Sequence, residues 1–232
     1  MVAVTTARSL TERVYACLRA DILAGRFAPG QRLRPTELAN VNGVSLNVVR
    51  EALNRLVGER LVVASPQQGF AVAEVSAADL VGLTETRVLA ETAALRWSIE
   101  RGDLVWESEL AAAHHLLANT PTTSGDEPGQ LTDDWMHAHN AFHAATMSGC
   151  GNPRLIEIAA ALGRSAAIYR CVSQQHDLGQ RDVAAEHRAI FDATLRRDAE
   201  LACRLHAEHI QRTAEIVIRA LCAPNDASTQ PA

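Results

Sequence analysis

The sequence predicts a mainly α-helical protein in two parts. Residues 1–76 form a small module of helices with one β-hairpin, residues 77–223 an all-α bundle of six helices, and residues 224–232 a disordered tail. Three observations predict this. First, the texture changes near residue 76: residues 9–74 mix short helical periods, turn signals and two β-like runs, whereas residues 77–222 are rich in Ala and Leu with a 3.6-residue period. Second, charge divides at the same place. Residues 1–75 carry nine Arg against six acids (+3), and the remainder 13 Arg against 21 acids (−8), which together give the net −5. A basic module on an acidic body suits a polyanionic partner at one end. Third, all nine His lie beyond residue 110.

Composition excludes several classes. At 47% hydrophobic and 21% charged residues the chain is neither disordered nor fibrous. No run of 18 apolar residues exists to make a transmembrane helix. MVAVTTARSLTER lacks the basic-then-apolar order of a signal peptide, so a cytoplasmic location is expected. Five widely spaced Cys without CxxC pairs predict reduced, mostly buried thiols. All 22 basic residues are Arg, which leaves any phosphate contact to Arg or to neutral donors.

The N-terminal elements follow in order. Ser9-Leu-Thr-Glu12 is a capping box, and Val14, Leu18 and Ile22 form the apolar stripe of a first helix that Gly25 can close. Pro29-Gly30 makes a turn. A short helix around Glu37–Val41 is stopped by Asn42-Gly43. Ser45 caps the next helix, whose Val49, Leu53 and Leu56 face inward. Leu61–Ala64 and Phe70–Ala73 flank Ser65–Gly69 as a β-hairpin. Helix, helix-turn-helix and hairpin together make a winged helix-turn-helix.

In that fold the second helix of the motif enters the DNA major groove. Its exposed polar positions are Asn47, Arg50, Asn54 and Arg55. Arg50 suits bidentate recognition of guanine and Asn47 suits adenine. Arg32 and Arg34, ahead of the motif, suit phosphates, and Gln67 and Gln68 at the wing tip suit backbone or minor groove. The expected DNA-facing set is Arg32, Arg34, Thr36, Ser45, Asn47, Arg50, Asn54, Gln68 and Gly69. The plainer alternative is a solvated surface on a small helical domain.

The segment PGQRLRPTELANVNGVSLNVVREALNRL followed by PQQGFAV resembles the N-terminal domain of GntR-family bacterial transcription regulators over residues 10–74. The resemblance implies that Arg50 is the main base-reading Arg. Four positions depart from it. Leu46 replaces the Arg that usually follows GVS, Asn47-Val48 replaces Thr-Pro or Thr-Thr, and Thr36 is often charged in relatives. These imply a different operator and lower affinity. Arg60 stands where the family has a helix-ending Gly; a left-handed Arg there costs about 1 kcal/mol.

The bundle helices are expected near 77–101, 103–119, 132–149, 153–175, 180–197 and 198–221, with a long loop at TPTTSGDEPGQ (120–130). His139 and His143 are i, i+4 on one helix, so both rings share a face. His187 and His209 lie on later helices. Imidazoles from three helices can converge on a divalent metal ion in a bundle interior. The alternative is a hydrogen-bonded or surface His pair. Asn140 is about 100° round the helix and a poor substitute ligand. His114, His115, His137, His176 and His206 are expected at the surface, and Trp97, Trp106, Trp135 and Phe142 in packing.

The order Glu85-Thr-Arg87, Glu91, Ala94, His139-Asn-Ala-Phe142-His143, Ser148-Gly-Cys-Gly151-Asn152, Glu186-His187 and His209 resembles the FCD domain of the FadR-type branch. Six helices resemble its VanR-type subgroup. The family usually has Asp at the first metal position, and His139 stands there, so the resemblance implies either a four-His set or three His plus water or an effector carboxylate. Nitrogen-only ligation favours Zn or Ni. The implied effector site is Arg87, Glu91 and Asn152 around a small organic acid. For Arg87 a plain salt bridge to Glu91 is an equal alternative.

The expected function is a homodimeric, effector-responsive regulator of transcription, most simply a repressor, on a palindromic double-stranded operator. A second possibility is that the ion itself is the signal. A remote one is a helical metallohydrolase: His176-Asp177 offers an HD dipeptide but has no suitably spaced partners, and no GxSxG, HExxH or phosphate-binding Gly loop is present.

Overall fold

The computed structural model describes residues 9–123, 131–176 and 181–222. The chain divides into two compact units after Val75. Ser76, expected at the end of the first unit, instead caps the first bundle helix: its Oγ accepts from Asp79 N at 3.0 Å. The tail from 224 and the part of the long loop at 124–130 lie outside the described residues.

The N-terminal unit contains α1 (Leu10–Leu23), β1 (Arg32–Leu33), α2 (Pro35–Asn42), α3 (Leu46–Gly58), β2 (Val62–Ser65) and β3 (Gly69–Val72). Ser9 Oγ accepts from Glu12 N at 3.1 Å and Ser45 Oγ from Val48 N, so both expected caps form. Gly43 closes α2 at φ 62°, a conformation open to Gly without steric cost. Val14, Leu18 and Ile22 from α1 meet Val49, Leu53 and Leu56 from α3 in the core. The hairpin pairs Val62 with Val72 and Ser65 with Gly69. The sheet has a third strand that the sequence did not signal: β1 pairs Arg32 with Ala71 and Leu33 with Phe70. Two residues are too few for an alternation to be seen.

Arg60 follows α3 at φ 58° and is exposed, without a side-chain partner among the described residues. The left-handed conformation costs about 1–2 kcal/mol for a residue with a Cβ. Glycine's extra unfolded-state entropy costs about 0.5–1 kcal/mol. Strain outweighs entropy here, so Arg60→Gly is expected to stabilise this unit by up to about 1 kcal/mol, measured by urea unfolding of the full chain. A loss of stability would overturn this balance. Arg197, also left-handed at φ 56°, differs because its guanidinium binds Ile99 O at 2.7 Å and Gly102 O at 2.8 Å.

The second unit is α4 (Ala77–Arg101), α5 (Leu104–Ala118), α6 (Asp133–Ser148), α7 (Pro153–Ser165), α8 (Ala167–His176), α9 (Val183–Leu195) and α10 (Ala199–Cys222). Asp103, Thr132, Asn152 and Asp182 cap α5, α6, α7 and α9 through their side chains. The described residues thus hold seven bundle helices, not six. The expected 153–175 helix breaks at Ala166. There Arg170 Nη1 donates to the Gly163 carbonyl at 3.1 Å, drawing off an acceptor that the helical ladder would use. The six-helix count that pointed to the VanR-type subgroup therefore does not hold. α4 packs along α10, α5 along α6, and α9 along α10, around Leu95, Leu110, Phe142, Ile190 and Ile210. Trp106 Nε1 donates to Ala145 O at 2.8 Å, and its ring lies where a Cβ on Gly102 would be, so only glycine fits there.

Candidate functional site

On α3 the amphipathic period turns Val49, Ala52, Leu53 and Leu56 inward, each with 0% exposure. The opposite side presents Asn47, Arg50 and Asn54, all exposed. Their i, i+3 and i, i+4 spacings make one stripe. Arg50 has no ion pair among the described residues. Arg55 belongs elsewhere: its Nη1 donates to Glu12 at 2.7 Å and its guanidinium lies 4.0 Å over the Tyr15 ring, so it clamps α1 to α3. Ser45 is exposed but its Oγ serves as the cap. Thr36 is exposed at the start of α2, as are Arg32 on β1 and Gln68 and Gly69 at the wing. Arg34 pairs with Glu37 at 2.8 Å, both well exposed. A surface pair of this kind contributes little and can exchange for a phosphate.

In the second unit α6 carries His139 and His143, α9 His187 and α10 His209. All four are buried, and one ligand atom from each lies within 4.8 Å of the others. His139 Nδ1, both ring nitrogens of His143 and His187 Nε2 are buried without a hydrogen-bond partner. Buried polar atoms are normally satisfied, and each orphan costs about 1–3 kcal/mol. Four buried imidazoles brought this close, several of them with orphaned nitrogens, are an arrangement that could hold a cation. Metal–nitrogen bonds of about 2.0–2.1 Å put tetrahedral ligand atoms about 3.4 Å apart, so the rings would have to draw inward to hold an ion.

His209 is already oriented. Its Nδ1 lies 2.8 Å from Glu186 Oε2, which leaves Nε2 for the cluster. Glu186 accepts from Arg181 Nη2 at 2.6 Å and Arg212 Nη1 at 2.9 Å. Burial alone would raise the Glu186 carboxyl, but hydrogen bonds from His209 and Arg181 outweigh it and hold it well below the usual carboxylate range. A carboxylate behind a ligand imidazole is a recurrent metal-site support. Arg181 carries no sequence signal, and Glu186 carries one only as part of the Glu186-His187 motif, although it points about 100° away from His187.

Burial also pushes His139, His143 and His187 well below the ordinary histidine range and His209 down to about 4. The rings are therefore neutral, the form that ligates. The unfolded chain takes up protons on these residues near pH 6.5, whereas the folded chain resists until much lower pH. Stability of the metal-free protein is therefore full above about pH 6.5 and falls below it, by up to about 1.4 kcal/mol per pH unit for each histidine. Urea unfolding of chelator-treated protein between pH 7.5 and 5 is expected to show this fall; a flat profile would contradict the buried, neutral cluster.

Two histidines expected at the surface are buried. His114 stacks on Phe191 at 4.2 Å and meets Phe142 edge-on. His206 has 0% exposure, and its Nε2 lies 2.9 Å from Glu91 Oε2. Helical periodicity held the signal: His206 falls on the stripe Ala202, Cys203, His209, Ile210, and His114 on the stripe Leu110, Leu117. His115, His137 and His176 are exposed.

Arg87 is 7% exposed and donates from Nε and Nη2 to Glu91 at 2.7 and 3.3 Å. The salt-bridge alternative is therefore what the structure shows. Nη1 of Arg87 stands outside that pair. Glu91 does not fit a direct effector contact: both oxygens are engaged and the residue is 1% exposed. Burial would raise its carboxyl, but Arg87 and His206 lower it to about 2. A second carboxylate would be repelled. Asn152 caps α7, its Oδ1 accepting from Leu155 N at 3.2 Å. Asn140 Oδ1 accepts from Arg170 at 2.9 Å.

A winged helix-turn-helix with an exposed reading stripe, carried on the same chain as an all-helical unit, defines a DNA-binding transcriptional regulator. Residues 10–72 match the family described as bacterial regulatory proteins, gntR family, and residues 82–212 match the FCD domain. The chain belongs to the GntR family, in the branch that carries an FCD domain. It is 35% identical to the HTH-type transcriptional regulator BphR of Paraburkholderia xenovorans, over 93% of this chain and 88% of that protein. It is 31% identical to the HTH-type transcriptional repressor GlaR of Escherichia coli, over 89% and 95%. A GntR regulator structure from Rhodococcus sp. RHA1 is similar with a TM-score of 0.68 and 26% identity, over 92% of this chain and 99% of that one. The fold is also shared with E. coli McbR/YncC, at a TM-score of 0.70, 24% identity, and 93% and 100% coverage. The family and these relatives are regulators, not enzymes, which removes the metallohydrolase reading. No helix among the described residues is long and apolar enough to cross a membrane.

Proposed function

We propose that the chain is a homodimeric repressor whose operator binding is modulated by a small carboxylate bound in a metal-containing helical domain. It acts in the cytoplasm, where its DNA lies. The observation that carries this is the buried convergence of His139, His143, His187 and His209, with unsatisfied nitrogens, in a DNA-binding protein. The donor set favours Zn or Ni. Bound metal supplies a Lewis-acidic point for an anion. Of the Arg87–Glu91 pair only Arg87 Nη1, the donor that Glu91 does not use, would contact that ligand. Relatives named as repressors, including the galactonate operon repressor of E. coli, support the sign of regulation. Two winged helices related by a dyad match a palindromic operator, with Arg32, Arg34 and Thr36 near phosphates and Asn47, Arg50 and Asn54 over bases. An effector shifts this equilibrium only by binding one dimer arrangement better than the other.

The test is a footprint of the metal-loaded protein on DNA upstream of its own gene. Protection of a palindrome, weakened by one of a panel of small organic acids, is expected. Absence of any sequence-specific protection would sink the proposal.

One observation favours a second reading, in which the ion is the signal. The four histidines together offer four nitrogen donors, which would fill a four-coordinate site and leave no open position for an effector. Calorimetry separates the two readings: a sensed ion changes DNA affinity, and a resident one does not.

A further inference from the structure

We infer that Arg87, Glu91 and His206 form a buried relay that orients His143 as a metal ligand. This rests on the metal reading above. His143 is buried and unpaired at both ring nitrogens. A neutral imidazole gives one lone pair to an ion and keeps a proton on its other nitrogen, and that N–H then needs an acceptor. Among the described imidazoles near His143, those of His139, His187 and His209 belong to the ligand set, and their lone pairs are required there. His206 does not belong to it. Its ring centre is 5.4 Å from that of His143.

The tautomer of His206 follows from its partners. Glu91 is charge-balanced by Arg87 and can only accept, so His206 Nε2 donates to it at 2.9 Å. A neutral imidazole that donates from Nε2 has its lone pair on Nδ1, and the Nδ1 of His206 is buried and unpaired. A donor without an acceptor thus adjoins an acceptor without a donor, and a modest ring rotation joins them. The resulting order is Arg87, Glu91, His206, His143. It parallels the order Arg181, Glu186, His209 on the other side of the cluster, with one imidazole added. His206 and Glu91 are accordingly positioning residues. Outer-shell partners of this type typically change metal affinity about 10–100-fold.

The test measures Zn²⁺ affinity of the full chain by competition with a chromophoric chelator. His206→Phe keeps a ring but removes the acceptor; it is expected to bind Zn²⁺ about 10–100-fold more weakly. His206→Asn, whose Oδ1 stands close to the place of Nδ1, is expected to recover most of the loss. Nitrogen-15 NMR of the Zn²⁺-loaded wild type needs no variant. It should show the free His143 nitrogen protonated and hydrogen-bonded to His206 Nδ1. Equal affinity of wild type and His206→Phe, or a His206 Nδ1 resonance typical of a free lone pair, would overturn the relay alone. A wild type that takes up no Zn²⁺ would overturn the metal reading, and the relay with it.

Discussion

His187→Ala is expected to abolish stoichiometric metal binding and the stabilisation that comes with it. A ligand present at about 100 times its Kd stabilises a folded protein by about 2.7 kcal/mol. For a unit of this size that corresponds to roughly 5–10 °C in Tm. His187 supplies a buried nitrogen that has no other partner, so removing it takes away a ligand without breaking an internal hydrogen bond. The variant also loses ring packing against Trp135 and Phe142, so its melt is read against its own chelator-treated form. Metal analysis and thermal melts with and without chelator separate the two contributions. Chelator is expected to lower the wild-type Tm and to leave the variant unmoved. If the variant keeps one ion per chain, the site has been placed wrongly.

Arg50→Ala is expected to weaken operator binding by about 1–3 kcal/mol, or about 5–150-fold, and to relax the preference at one guanine. The reasons are its exposure, its place in the middle of the Asn47–Asn54 stripe and its lack of a competing ion pair among the described residues. Arg34→Ala serves as the contrast. Arg34 stands at the start of α2 and, among the described residues, pairs only with exposed Glu37. Its loss should weaken binding evenly across sequences and lower the salt slope by about one. Titrations of both variants on operator and scrambled DNA at two salt concentrations decide between the roles. A uniform loss in Arg50→Ala, with base preference intact, would make Arg50 a phosphate contact.

Several features of the fold are legible in the chain because they are local. Ser9, Ser45 and Gly43 act through hydrogen bonds or dihedral freedom within a few residues, and each sits where its helix begins or ends. The i, i+4 spacing of His139 and His143 puts both rings on one face whatever packs against it. The departures have a different origin. β1 exists because β3 lies beside it, and the break at Ala166 involves Arg170 reaching back to Gly163. His206 stands apart from the family's ligand positions, which favoured a surface place for it, although its helical stripe puts it inside.

The two-part chain, the winged helix, the reading stripe and the shared face of His139 and His143 can be read from the order of residues, whereas His187 and His209 are singled out by the resemblance to the FCD domain. The features read directly follow from periodicity, capping and charge, which act over one or two helical turns. Which polar groups are buried together emerges only once the helices pack. Arg87 proves to be joined to Glu91 and through it to His206, and His209 to Glu186 and Arg181. Burial turns such pairings from weak surface contacts into strong constraints, because a charge removed from water must find its partner within the protein. Where the partner stands many residues away, only the folded chain identifies it.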